Sequence, residues 1–382
     1  MSLRQTIEKE IRERGPMAFS RYMELCLYDP EFGYYRRGAE QFGKGGDFYT
    51  SSDVHAVFGR LLARQFEEVW RTLGSPRQME ILELGPGRGL FAQDVLDWSE
   101  KKFPEFFGAL HYRLLESSSA LRSRLRNTLS RQIAAGKASV VESAAIQRAL
   151  GSDVPIVVFA NEFFDALPVE ILSAQGQLYI AEQNGRFCET WLPAYAEALA
   201  LLDRYGVHPE AGERVEAPLM AQRYMGQVAA LIERGCLIAI DYGYTRAEQL
   251  AGRHRDTLMT YRKHAANVDP YQAPGEQDIT AHVNFTVLAA AAEGHGMWVH
   301  PLLTQSQFLL GIGEGNQFAD AFEGCRLPQE QTKVAMQLKH LITPEGMGEA
   351  FHVLVASKAI SPDHIGKLSG LNFGKTLSPP RQ

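Results

Sequence analysis

The 382-residue chain is poor in the features that mark most specialised classes. It has four cysteines, Cys26, Cys188, Cys236 and Cys325, placed singly and without a CxxC pair. That pattern supports neither a zinc site nor a disulfide framework, and it fits a reducing compartment. No metal is expected. No run of about 18 apolar residues occurs, so no membrane-spanning helix is expected. Basic residues are not in excess: 39 Lys and Arg stand against 45 Asp and Glu, a formal net charge of −6. No global field for nucleic acid follows from that balance. The first fifteen residues are charged throughout and lack the apolar core of a signal peptide. Glu8, Glu10 and Glu13 also disfavour a mitochondrial transit peptide. Repeats and low-complexity stretches are missing. A soluble, cytoplasmic protein is expected.

What is present is ample core material, with 45% hydrophobic residues. The length suits two to three domains or one elaborated α/β domain. Its organising stretch is Met79 to Gly89, MEILELGPGRG. Ile81, Leu82 and Leu84 form a short buried strand that runs into a glycine-rich turn, and a helix follows over Leu90 to Trp98. Glycines suit a turn where a ligand approaches the backbone closely. The helix start behind it offers free N–H groups. The dinucleotide fingerprint would place its third glycine at position 90, which is Leu90. An acid, Glu83, two residues before Gly85-x-Gly87-x-Gly89 instead resembles the first motif of class I S-adenosylmethionine (SAM) methyltransferases. A tight turn without a ligand is the alternative reading.

Along the chain, Leu3, Ile7 and Ile11 predict an amphipathic helix over 2–14, stopped by Gly15-Pro16. A second helix spans Ser20 to Leu27, and an aromatic loop, Tyr28 to Tyr35, follows. Residues 41–53, QFGKGGDFYTSSD, read as a ligand-facing loop. Asp47, Thr50 and Ser51 serve there either as a lid over a cofactor or only as a helix N-cap. A long helix begins at Val54. His111 to Glu116 is a second strand; its terminal acid, Glu116, is placed to accept both hydroxyls of a ribose. The arginines of a helix over 117–133 read as a solvated face. Strands follow at Ala138 to Val141 and Pro155 to Ala160, the latter buried on both faces. It ends in Asn161-Glu162-Phe163-Phe164-Asp165, a polar cluster suited to a bound acceptor. Val169 to Leu192 is a hairpin insertion turning at Asn184-Gly185. Residues 193–234 are expected to be mainly helical. Cys236 to Ile240 is the fifth strand, Leu258 to Tyr261 a possible one, and Asp278 to Ala292 a helix. Met297 to Leu302 and Phe351 to Ala356 are the last strands.

Seven segments carry a wider resemblance: LYDPEFGYY (27–35), GDFYTSSDV (46–54), ELGPGRG (83–89), NEFFDALPV (161–169), IDYGY (240–244), PGEQDITAHVNF (274–285) and QFLLGIG (307–313). The chain resembles the MidA-like family, which includes the mitochondrial complex I assembly factor with protein arginine methyltransferase activity. The resemblance implies an α/β class I SAM-dependent methyltransferase, Rossmann-like, with a seven-stranded sheet, a helical N-terminal cap and an inserted hairpin and helical region. On the reading along the chain, a cap and lid are expected over 1–76 and a SAM-binding core over 77–165 and 235–358. An insertion is expected over 166–234 and a tail over 359–382. Thr50, Glu83, Gly85, Gly87, Gly89, Glu116 and Asn161 become candidates for the cofactor. Asn161, Glu162, Asp165 and Asp278 become candidates for catalysis. A protein substrate, a respiratory complex I core subunit, is the implied partner. One departure is Asn284, where the family pattern leads us to expect an acid. Two other readings stay open: a small-molecule methyltransferase on the same fold, and a SAM-binding assembly factor with little turnover.

Overall fold

The computed structural model describes residues 2–36, 56–142, 153–262, 265–266 and 269–373. The expected lid over 41–53, with Asp47, Thr50 and Ser51, lies outside them. Helix α1 (Leu3–Arg14) starts at a capping box, in which Ser2 accepts the Gln5 N–H and the Gln5 side chain takes the Ser2 N–H. It buries Leu3, Ile7 and Ile11. A two-residue strand β1 (Met17–Ala18) leads into α2 (Phe19–Tyr28). The long helix α3 (Ala56–Thr72) comes next.

The core sheet is then laid down as β2 (Met79–Leu84), β3 (Leu110–Leu115), β4 (Ala138–Val141) and β5 (Ile156–Asn161), with α4 (Leu90–Lys102) and α5 (Ser119–Thr128) as crossovers. After an insertion the chain returns as β10 (Gly235–Tyr244). The spatial order is β4-β3-β2-β5-β10, all parallel. The order reverses between β2 and β5. That reversal opens a crevice at their carboxyl ends, where an open α/β sheet takes its ligand. The last strand, β17 (Phe351–Lys358), closes the sheet antiparallel to β10.

Alternate residues on each strand enter opposite layers. Ile81, Val157, Phe159 and Ile238 pack with Phe58, Phe66 and Phe91 of α3 and α4. Phe91 stacks on Phe159 at 4.6 Å. Leu82, Val158 and Leu237 face the other way, onto α7 (Leu219–Leu231) and α8 (Phe285–Glu293). Both faces are covered, which explains why β5 reads as an unbroken apolar run.

The insertion is an antiparallel sheet of β6 (Glu170–Ser173), β7 (Gly176–Gln183), β8 (Arg186–Leu192) and β9 (Arg214–Ala217). Asn184 and Gly185 turn the β7–β8 hairpin, both at positive φ. β1 pairs with β7, tying the N-terminal segment to the insertion. Several expectations need correction. Residues 193–234 hold β9 as well as the helices α6 (Ala196–Tyr205) and α7, because β9 completes the edge of β6. Asp278 is not on a helix. It opens β13 (Asp278–Thr280), which pairs with β11 (Met259–Arg262), itself paired with β12 (Ala265–Ala266). A second short strand, β14 (Val283–Asn284), lies beside the end of β10, and α8 starts only after it. The strand expected over 297–302 is broken into β15 (Trp298–Val299) and β16 (Leu303–Thr304), each pairing separately with β17. Two further helices, α9 (Gln305–Glu314) and α10 (Pro328–Ile342), precede β17. Among the described residues no helix is long and apolar enough to cross a membrane.

The C-terminal stretch is not a loose tail as far as it is described. Ile365 and Leu368 enter the core beside α3. The Gly370 N–H donates to the Gln65 carbonyl Oε1 at 2.9 Å. Ile365→Ala should therefore destabilise the whole fold by about 2–5 kcal/mol, the cost of emptying a well-packed site. Denaturant unfolding measures it, and an unchanged midpoint would mean that this segment is only loosely attached.

Candidate functional site

A cavity of about 1140 Å³ opens at the carboxyl ends of the parallel strands. Glu83, Gly85, Gly87, Glu116, Asn161, Glu162, Asp165 and Asp278 all line it. Gly89 does not. A Cβ there would lie 2.7 Å from Leu125, so Gly89 serves the packing of the helix start against α5. Gly85 and Gly87 stand at φ 64° and 52°, the left-handed region where a side chain is strained. A Cβ on Gly85 would also reach the Phe163 ring at 2.9 Å.

Two acids flank the turn. Glu83 is buried at the end of β2, and its Oε2 accepts the Tyr112 hydroxyl at 2.9 Å. Burial pushes this carboxyl up to about 8, against the opposing pull of that hydrogen bond. Glu116 follows β3, and its Oε1 accepts the Ser118 N–H at 2.7 Å. Burial raises its pKa too, opposed by Ser118 and by the nearby guanidinium groups of Arg36 and Arg122. Arg122 donates to the carbonyls of Glu116 and Ser117 and pairs with Glu142. It shapes the strand end rather than joining a solvated face. Arg36 also donates to the Ser117 carbonyl, fastening the N-terminal segment there.

At the end of β5 the chain turns sharply. Glu162 has φ 50°, a conformation costing a non-glycine residue about 1–3 kcal/mol. Asn161 Nδ2 donates to Glu162 Oε1 at 3.1 Å, while Asn161 Oδ1 is buried without a partner. Asp165 is buried; its Oδ2 accepts the Tyr242 hydroxyl at 2.7 Å and its Oδ1 has no partner. Desolvation raises Asp165 to about 6. Asp278 Oδ1 accepts the Tyr35 hydroxyl at 2.9 Å and the Ile279 N–H at 3.0 Å. Tyr28 donates to the Ala166 carbonyl at 2.9 Å. Asp241, behind this group, accepts the N–H groups of Phe163, Phe164 and Asp165 on Oδ2. Burial and the neighbouring carboxyls of Asp165 and Glu162 push it well up.

Asp241 lies in the IDYGY segment at the end of β10, and nothing local in the sequence announces this grip. Tyr28, Tyr35, Tyr112 and Tyr242 were missed as carboxyl and carbonyl partners. Only the aromatic density of 28–35 pointed toward them. His282 lines the cavity, with Nδ1 3.2 Å from His254 Nδ1; burial and His254 lower it to about 4. Asn284 is explained without a ligand. Its side chain caps α8 by accepting the Val287 N–H at 3.2 Å, and it donates to the Tyr205 carbonyl.

The cavity fits the cofactor that the resemblance implies. Gly85 and Gly87 leave the backbone bare, Glu83 and Glu116 offer buried acceptors for an ammonium and for ribose hydroxyls, and Asn161 Oδ1 lacks a partner. Glu116→Ala should weaken S-adenosylhomocysteine by on the order of a hundredfold, from two charge-assisted bonds of ~1.5–3 kcal/mol each. Calorimetry showing a change under threefold would place Glu116 outside the site. Glu83 supplies a pH test. A ligand ammonium favours its ionised form, so binding releases the proton that Glu83 holds below about pH 8. Affinity should rise from pH 6 to 8 and level off above, and Glu83→Gln should abolish that slope. A slope that persists in the variant would remove Glu83 from the role.

The comparisons agree with this geometry. Residues 61–302, well over half the chain, match the family Methyltransf_28, described as "Putative S-adenosyl-L-methionine-dependent methyltransferase". The chain is 31% identical, with a TM-score of 0.82, to a COG1565 superfamily member from Burkholderia thailandensis bound to S-adenosyl-homocysteine. That match covers 96% of this chain and 94% of the other. It is 28% identical to the mitochondrial protein arginine methyltransferase NDUFAF7 homolog of Drosophila melanogaster, over 97% of this chain and 88% of that protein. It is 26% identical to the Homo sapiens protein of that name, over 90% and 80%. The chain belongs to the Methyltransf_28 family of S-adenosyl-L-methionine-dependent methyltransferases, and S-adenosylmethionine is its cofactor.

Proposed function

We propose that this protein methylates an arginine side chain of a protein acceptor, a core subunit of a respiratory complex I before its assembly. The observation that carries this reading is the acid wall of the cavity, and above all Asp165. It is buried, has one oxygen free, and is held by a tyrosine rather than by a cation. Among the described residues Asp165 forms no ion pair. A guanidinium entering there would supply the missing positive charge. Its planar fork suits carboxylates that approach side by side. The relatives are named protein arginine methyltransferases, which supports an arginine of a protein as acceptor; the complex I subunit rests on the MidA-like resemblance alone.

The cofactor supplies an electrophilic methyl group; the chain supplies placement. Holding a nucleophile in line can contribute ~7–11 kcal/mol. Glu162 and Asp165 would grip the guanidinium and draw charge onto its outer nitrogens. Tyr242 holds Asp165 in its rotamer through Oδ2, which leaves Oδ1 to take the proton that the methylated nitrogen gives up. Asp278, fixed by Tyr35, adds negative potential from the N-terminal side. The rings of Phe163 and Tyr224, 5.0 Å apart, form an apolar wall that limits water.

The test is transfer of a labelled methyl group to proteins from cells lacking this chain, with the labelled peptide identified by mass spectrometry. Glu162→Gln keeps shape and removes charge. It should leave S-adenosylhomocysteine affinity nearly intact and lower transfer at least tenfold. Label on a small metabolite alone would make this a small-molecule enzyme. Equal transfer by both proteins would remove Glu162 from the chemistry, and no transfer with cofactor bound would favour a binding role.

A further inference from the structure

The turn bearing Glu162 and Asp165 is not held by its own residues. Glu162 is left-handed and the chain reverses directly after β5. Three successive N–H groups, of Phe163, Phe164 and Asp165, converge on Asp241 Oδ2 at 3.2, 3.0 and 3.4 Å. Such a run of converging backbone donors forms a concavity of the kind that binds anions, and here a carboxyl side chain of the same protein fills it. Asp241 Oδ1 accepts the Tyr242 N–H at 3.0 Å. Tyr242 in turn donates its hydroxyl to Asp165. One carboxyl therefore fixes Asp165 from two sides, through its backbone and through its phenol partner.

Asp241 is 1% exposed and is not part of the cavity wall. It cannot touch a bound molecule. The cofactor side is held by other means. Asn161 is registered against Ile240 in the β5–β10 ladder, and the Glu162 N–H donates to the Ile240 carbonyl. Glu83, Gly85 and Gly87 belong to β2 and its turn. Among the described residues two contacts lead from that turn toward this region: the Phe163 ring, which lies over Gly85, and the Asn161 Nδ2 bond to Glu162 Oε1.

We propose that Asp241 is a positioning residue for the acceptor: it aims the carboxyl of Asp165 at the cationic group to be methylated, and takes no part in holding the cofactor. The nature of the acceptor rests on the reading in the preceding subsection; the positioning itself does not.

Asp241→Asn preserves volume but turns one accepting oxygen into an N–H₂ group facing N–H donors. Three measurements on the full chain decide the case: hydrogen exchange at the amides of 163–165, S-adenosylhomocysteine affinity, and steady-state methyl transfer. Exchange should become at least tenfold faster. Affinity and the KM for S-adenosylmethionine should stay within threefold of wild type, while kcat falls at least tenfold. Affinity lost in step with turnover would overturn the proposal, since Asp241 would then support the cofactor too. Unchanged exchange or unchanged kcat would overturn it as well. Should Asp241→Asn fail to fold, Tyr242→Phe removes only the phenol bond to Asp165. It must show the same split between affinity and kcat, in weaker degree, and no split would count against the proposal. A wild-type enzyme that labels no arginine would sink the acceptor reading alone, because exchange and affinity still report on Asp241.

Discussion

Carboxyl groups taken out of water must be given hydrogen bonds, because an unsatisfied buried charge costs several kcal/mol. This chain buries Glu83, Glu116, Asp165, Asp241 and Asp278 around the carboxyl ends of its parallel strands. The donors they receive are mostly phenols and backbone N–H groups: Tyr112 for Glu83, Ser118 for Glu116, Tyr242 for Asp165, Tyr35 for Asp278, and the 163–165 turn for Asp241. Each donor fixes the position of its acid. The shape of the cavity wall is thus largely the consequence of satisfying five acids.

The two halves of that wall have different origins. The part that carries Glu83, Gly85, Gly87 and Glu116 comes from the parallel core, where β2, β3 and β5 end side by side at the reversal of strand order. The part proposed to take the acceptor is assembled from distant segments. Tyr28 and Tyr35 come from the N-terminal segment, Asp278 from β13, and Asp165 from the loop before the insertion. β1 pairs with β7, which ties the N-terminal segment to the insertion as one support. A core shared across many acceptors can thereby carry a wall specific to one.

The core was legible in the sequence because its signals are local. The apolar run of β5, the MEILEL strand and the Asn184-Gly185 turn each declare themselves within a few residues. The failures arise where pairing is remote. Asp278 to Thr280 read as a helix start because Ala281 to Ala292 is helix-compatible, yet β11 captures the first three residues as a strand. Leu303 and Thr304 form a strand only because β17 lies alongside. The cavity wall divides in the same way. That Glu83, Gly85, Gly87 and Glu116 line it follows from motif and strand end. Gly89 belongs to the motif yet faces α5 rather than the cavity, and the role of Asp241 depends on donors 76 to 78 positions away.

The choice of phenols over cations bears on what the site can accept. A lysine or arginine beside Asp165 would satisfy the carboxyl and also cancel its charge, leaving nothing for a cationic guest. A tyrosine hydroxyl stabilises the ionised form while leaving its charge in place. Tyr242 and Tyr35 therefore keep Asp165 and Asp278 oriented toward the cavity without placing a positive charge beside them. Burial opposes this and raises the Asp165 pKa above the usual carboxylate range. A neutral acceptor would gain little from such a wall and would face its desolvated charge. A guanidinium gains most, since it offers donors in a fixed plane and stays charged at every relevant pH. On the proposed reading, the cost of burying these acids is offset when such a cation pairs with them.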